Sequence, residues 1–209
     1  MKAVWPVVVV LAGGLAIGGY AYHLSRQKQE QRYALSVLVD KGTAEIQGAL
    51  SGTPGEAELA AAQASLDALR AMDSSRQRAF ADAVERYLIG AHTIVRTRGE
   101  ALRLSNEAAA DRQALAAQLA ARRNDAWFAN TMAINKRVEQ EHFDLAHAYQ
   151  GLDEALGSLG DDTRTLALYV PAGALVDDAQ RNEARKQAND GAARAAAQLE
   201  QARRSIESR

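Results

Sequence analysis

The sequence predicts an all-α protein: an N-terminal single transmembrane helix followed by an antiparallel helical bundle with coiled-coil-like seams. Three observations carry that expectation. The stretch from Val4 to Leu24, VWPVVVVLAGGLAIGGYAYHL, holds no Asp, Glu, Lys or Arg. Beyond it, apolar residues recur at three- and four-residue steps and nowhere alternate. The 3 prolines stand at positions 6, 54 and 171, which leaves long runs free to be helical. The expected organisation is an anchor over 1–25, a helical stem over 26–52 and a bundle domain over 53–209.

About twenty uncharged residues at ~1.5 Å each cross a hydrocarbon layer of about 30 Å. In lipid a single segment satisfies its backbone hydrogen bonds only as a helix. Trp5 at one end and Tyr20, Tyr22 and His23 at the other place amphipathic rings where interfacial belts lie. The alternative is a cleaved secretory signal, with Lys2 as its charged start, Pro6 to Ile17 as its apolar region and Gly19-Tyr20-Ala21 as its cleavage site. The length of the run and the aromatic rings favour retention. Lys2 and the α-amine nearly balance Arg26, Lys28 and Arg32 across the segment, leaning slightly towards a cytoplasmic bulk. The opening Met-Lys running straight into an apolar segment follows the pattern of exported bacterial chains. The expected location is therefore the bacterial inner (plasma) membrane, single-pass, with the bulk of the chain periplasmic.

After the anchor, the 209-residue chain has room for one domain of ordinary size. Aromatics make up only 5% and alanine dominates, so the core is expected to be thin and closely packed. Cysteine is absent, which excludes disulfides, thiolate catalysis, Cys-ligated zinc and a lipidated cysteine. A net charge of −1 offers no basic excess for nucleic acid. Arg122-Arg123 and Arg203-Arg204 have acidic neighbours and read as solvated helix faces.

Leu35, Leu38, Val39, Ile46 and Leu50 extend the membrane helix as an amphipathic stem, weakened at Gly42 and Gly48. Thr53-Pro54-Gly55-Glu56 reads as a capping box that starts a second helix, with Leu59, Leu66, Leu69 and Met72 on one side. Ser74 and Gln77 form a second capping pair. The third helix carries Phe80, Val84, Tyr87, Leu88, Ala91, Ile94, Val95 and Leu102, and either ends at Ser105-Asn106 or runs on through Leu115 and Leu119. Asn124-Asp125 can cap a helix beginning at Trp127. Its seam, Val138, His142, Leu145, Tyr149, Leu152, Leu156 and Leu159, alternates four and three without a fault. Gly160 fits a C-terminal cap, Asp161, Asp162 or Thr163 a new N-cap, and a short helical segment to Tyr169 stops before Pro171. A last helix over about Leu175 to Ser208 has the seam Ala188, Ala192, Ala195, Leu199, Ala202 and Ile206.

No constellation argues for an enzyme, and no catalytic, cofactor-binding or metal residue is assigned. Glu139-x-x-His142 and Asp144-x-x-His147 share a motif with di-iron bundles. Both copies lie on one helix, their histidines about 140° apart at 3.6 residues per turn. Asp161-Asp162 and Asp177-Asp178 fit helix N-termini better than a cation site. Gly14 and Gly18, at small-xxx-small spacing, are candidates for a contact between membrane helices and so for a homo-oligomer. The leading expectation is a non-enzymatic, membrane-anchored scaffold or interaction protein of the bacterial envelope, with lipid and another protein as partners and no cofactor. The alternative is a sensory or ligand-binding bundle with Trp127, Phe128, His142 and Tyr149 around a partly polar seam or cavity.

Overall fold

Each apolar stripe of the sequence becomes a helix, because a stripe at helical spacing can leave water only against another of its kind. A computed structural model describes residues 5–121 and 126–207, with side chains described for 23–121 and 126–204. Among the described residues five α-helices follow one another: α1 (Trp5–Ser51), α2 (Glu56–Ala71), α3 (Arg78–Ala120), α4 (Trp127–Leu166) and α5 (Asp178–Glu207). Among the described residues there is no strand. Likewise among them, no helix is long and apolar enough to cross a membrane. The Val4–Leu24 segment lies outside the residues described in full, except for His23 and Leu24.

Cross-contacts fix the directions. Ser65 Oγ donates to Glu45 Oε1 at 2.7 Å, joining α2 to α1. Gln77 Nε2 donates to the Lys28 carbonyl at 3.4 Å and Tyr87 meets Thr43 at 2.7 Å, so α3 runs parallel to α1. Arg86–Asp162 at 3.5 Å and Arg137–Asp111 at 2.8 Å set α4 antiparallel to α3. Arg185–Asp153 and Gln198–His142 do the same for α5 against α4. The main core draws Leu35, Val39 and Ile46 from α1, Phe80, Val84 and Leu88 from α3, and Leu152, Leu156 and Leu159 from α4. Beside Gly99 the turn at Pro54 closes off α1 and α2. From there α3, α4 and α5 continue as a three-helix arm, with α3 alone running about 30 Å further at 1.5 Å per residue.

A polar ring is sealed inside this core. Tyr87 is fully buried, and its hydroxyl lies 2.7 Å from Thr43 Oγ1. Thr43 spends its one proton on the Ala174 carbonyl at 2.8 Å, so the phenol must donate to Thr43. The Val176 backbone N–H donates in turn to the phenol oxygen. Burial pushes the Tyr87 phenol above its usual range, and the Thr43 and Val176 hydrogen bonds act the other way. Gly42 makes room for the ring: a Cβ there would meet Leu88 Cδ2 at 2.7 Å and Tyr87 Cε1 at 3.3 Å. Its helix-weakening effect is thus offset by close packing of α1 on α3.

Several boundaries move from their expected places. The stretch expected as a stem over 26–52 packs into the bundle, with Leu35, Leu38, Val39 and Ile46 in its core. The first cap falls two residues later than Thr53–Glu56: Glu58 Oε2 accepts from the Gly55 N–H at 2.9 Å, and Pro54 precedes the helix. At the second junction Asp73, not Ser74, supplies the side chain, accepting from the Ser75 N–H at 3.1 Å. A 3-10 turn over Ser75–Gln77 then leads into α3. α3 runs through Ser105-Asn106 without a break. Gly160 does not end α4, which continues to Leu166; instead it lets the Arg181 guanidinium lie on the helix, where a Cβ would be 3.0 Å from its Cζ. Asp161 and Asp162 accordingly cap nothing and pair with Arg164 and Arg86. α5 starts three residues later than expected, after a loop containing a 3-10 turn at Ala172–Ala174. Its buried seam is Ala184, Ala188, Gly191, Ala195 and Ala202, whereas Ala192 and Leu199 are half-buried.

Tyr87→Phe keeps the volume and removes the ring's central hydroxyl, leaving the Val176 N–H without its acceptor. The expected loss is about 1–3 kcal/mol, the cost of an unsatisfied buried polar group. Urea unfolding at constant slope measures it, and stability equal to the parent's would show that the ring contributes nothing.

Candidate functional site: a polar seam and its carboxylates

The seam of α4 extends two steps, one heptad, further back than its apolar residues indicate. Thr131 and Asn135 lead into Val138, His142 and Leu145 at steps of four, three, four and three, and all five are buried. The sequence signal was the spacing, obscured because both leading residues are polar. His142 is fully buried, its Nδ1 lying 2.6 Å from the Val138 carbonyl and its Nε2 3.0 Å from the Gln198 side-chain amide on α5. A carbonyl only accepts, so Nδ1 carries the proton. The neutral ring then needs the Gln198 NH2 turned towards Nε2, while the charged ring takes the amide oxygen. Either way both ring nitrogens are satisfied within the bundle.

The two His-containing motifs are taken apart by these contacts. Glu139 accepts from Asn135 Nδ2 at 2.6 Å, away from His142. Asp144 accepts from Gln140, and the exposed His147 packs edge-on against Phe143 with centroids 4.4 Å apart. Burial, then the Arg96 charge, holds the His92 ring below its usual value. Among the described residues no group of three or more His, Asp or Glu side chains is placed to hold a metal ion.

Glu107, Asp111 and Glu141 instead gather where α3 meets α4. Arg103 reaches Glu107 at 2.7 Å and Arg137 reaches Asp111 at 2.8 Å. Burial raises the Glu141 carboxyl above the usual carboxylate range, the charges of Asp111 and Glu107 raise it further, and Arg137 only partly counters them. The adjoining Asp111 carboxyl also favours the protonated form of Glu141.

The four residues of the expected cavity are not brought together. Trp127 and Tyr149 are 22 residues apart on one helix, about 33 Å at 1.5 Å per residue. Trp127 Nε1 donates to the Gln118 carbonyl at 2.8 Å, closing the α3–α4 hairpin. Phe128 faces solvent at 69% exposure, and Tyr149 lies against Gly191, where a Cβ would meet its ring at 2.7 Å. His142 forms a polar pair with Gln198, which also borders a groove of about 330 Å³ with Leu115, Leu119 and Val138. Gly14 and Gly18 fall on α1 ahead of residue 23, outside the residues whose side chains are described.

Two outcomes follow from this geometry. A carboxyl raised in the folded state favours folding in its protonated form, so Glu141 costs stability progressively as pH rises from about 4.5 through its folded value. Glu141→Gln is expected to stabilise at pH 7 by less than about 1 kcal/mol, given solvent screening, and to lose that advantage in acid. Paired melts at pH 4 and pH 7 check the sign. At the seam, His142→Leu keeps the volume and is expected to cost under about 1.5 kcal/mol. His142→Ala, which opens a cavity, is expected to cost about 2–4 kcal/mol by comparison with other large-to-Ala core changes; equal losses in urea unfolding would place the cost in the polar contacts. No protein-family model, curated protein or solved structure matches the chain.

Proposed function

We propose that this chain is a single-pass, membrane-anchored helical scaffold of the bacterial envelope. It is non-enzymatic, with the Val4–Leu24 segment in lipid, the bundle presented on the periplasmic side and a second envelope protein as partner. The observation that carries the reading is the continuity of α1. The helix that emerges after Leu24 runs to Ser51 with no break, and its buried stripe from Leu35 to Ala49 is part of the bundle core. Such a helix makes the anchor a rigid handle on the domain and leaves no linker to tether it loosely. The interaction role draws support from Phe128 and Met132, exposed one turn apart at the start of α4, on the arm that leads away from the anchor. The ligand-binding alternative draws less support, since its four residues are strung along α4.

Extraction of membranes at alkaline pH tests the anchor. The full chain is expected to stay with the lipid, and Val9→Lys with Leu15→Lys to release it, because each central lysine costs about 2.5–3.5 kcal/mol on insertion scales. A chain recovered in the aqueous fraction with Tyr22 at its N-terminus would overturn the anchor. Pull-down of a stoichiometric membrane protein supports the partner, and ligand-dependent melting would replace it with a sensor.

A further inference from the structure

Leu168 is the most exposed large apolar residue of the described chain, at 78%. A lone exposed leucine is ordinary on a protein surface. Its setting is not. On either side the chain is pinned: Leu166 and Val170 are buried, and the Tyr169 ring stacks on Phe80 at 4.9 Å. Arg32 donates to the Tyr169 carbonyl at 3.1 Å, clamping this turn against α1. Leu168 is thus held outward by a rigid turn.

The place it is held is the start of the emerging helix. Leu168 and Tyr169 share one depression of about 380 Å³ with Ser25, Lys28, Gln29, Arg32 and Gln77. Ser25 directly follows Leu24, the last residue of the uncharged segment. Lys28 and Arg32 lie about 6 and 12 Å further along the helix at 1.5 Å per residue, and the headgroup layer on each side of the hydrocarbon is about 5–8 Å thick. Lys28 and Arg32 line the depression, Arg26 is exposed next to them on α1, and exposed Arg76 and Arg78 flank Gln77, which is tied to Lys28, at the end of the 3-10 turn and the start of α3. Of the acidic residues near this end, Glu30 is engaged with Arg26 at 3.0 Å and Asp73 with the Ser75 N–H, while Asp82 lies exposed one turn after Arg78 on α3.

We infer that this end of the bundle is a docking surface for anionic lipid headgroups. Leu168 enters the interfacial layer while Lys28, Arg76 and Arg78 pair with lipid phosphates, which holds the bundle upright on the bilayer. The inference rests on the anchor reading, and the two fail separately. The chain has no cysteine, so Leu168→Cys, Val10→Cys and Phe128→Cys each give a unique site for an environment-sensitive fluorophore in the full chain reconstituted into vesicles. In vesicles containing phosphatidylglycerol, the probe at 168 is expected to shift to the blue and to be quenched by lipid-borne spin labels. The probe at 10 behaves likewise and the one at 128 stays aqueous. Each basic residue neutralised, as in Lys28→Gln or Arg76→Gln, is expected to lower the docked-to-undocked ratio roughly fivefold. An aqueous probe at 168 with a lipid-embedded probe at 10, or identical signals in phosphatidylcholine vesicles, overturns the docking and leaves the anchor standing. An aqueous probe at 10 overturns both.

Discussion

The closed ring of hydrogen bonds through Tyr87 is the constraint on which the bundle's arrangement depends. α1 and α3 are parallel and separated in sequence by α2, so no short connection aligns them. Apolar stripes alone would tolerate a slide of one helical turn, since leucines and alanines recur along both. A buried phenol does not. Away from Thr43 and Val176 it would lose its partners in a low-dielectric interior, where a missing hydrogen bond costs more than a made one yields. Because Thr43 also holds the Ala174 carbonyl, the same ring fixes where the chain turns from α4 into α5. Three parts of the molecule are thereby set by one residue.

The clamp at the other end of that connection acts in series with the ring. Tyr169 stacks on Phe80, and Arg32 holds its carbonyl, so the loop leaves α4 beside residue 32 of α1 and reaches residue 43 at Ala174. Pro171 suits this path: it forces the preceding residue out of the helical region and donates no hydrogen bond. The chain is extended at Pro171, makes the 3-10 turn over Ala172–Ala174 against α1 and is extended again at Leu175 before α5 begins. What is exposed at this end, Leu168 and the basic side chains around it, is exposed because its neighbours are fully committed to packing.

The helices were legible in the sequence wherever a stripe of branched or aromatic residues named the buried face. Leu145, Leu152, Leu156 and Leu159 read directly from their heptad steps and are buried. Where glycine met another helix, the sequence misled. Gly160 suits a cap by composition, yet it serves contact with Arg181, and only the partner helix makes that visible. Capping pairs were displaced by a residue or two because Thr53, Gly55, Glu56 and Glu58 offer competing boxes within one turn, and packing of α2 chose among them. His142 was visible as a polar interruption of the seam, but its partner Gln198 lies 56 residues away and had no signal at all. The exposed turn at Leu168 was likewise invisible, since its meaning depends on contact with α1 137 residues earlier.

α5 shows why polar contacts between helices are needed in so small-featured a chain. Its seam is alanine and glycine, and each methyl group removed from water contributes only about 0.8 kcal/mol, a fraction of what a leucine gives. Sliding α5 along α4 by one heptad would set alanine on much the same surface, so apolar burial barely distinguishes the registers. The contacts that do distinguish them are specific. Arg185 grips Asp153 with two hydrogen bonds, at 2.8 and 3.2 Å, and Asn189 donates to the same carboxylate. Tyr149 needs the missing side chain of Gly191, and His142 needs Gln198. The Arg185 guanidinium holds the Asp153 carboxyl below its usual range, so the clamp keeps its charge at neutral pH. Polar and charged pairs that add little net stability can still select one register by making the others costly. In this bundle the seam supplies a flat attraction, and these few contacts give it a single minimum.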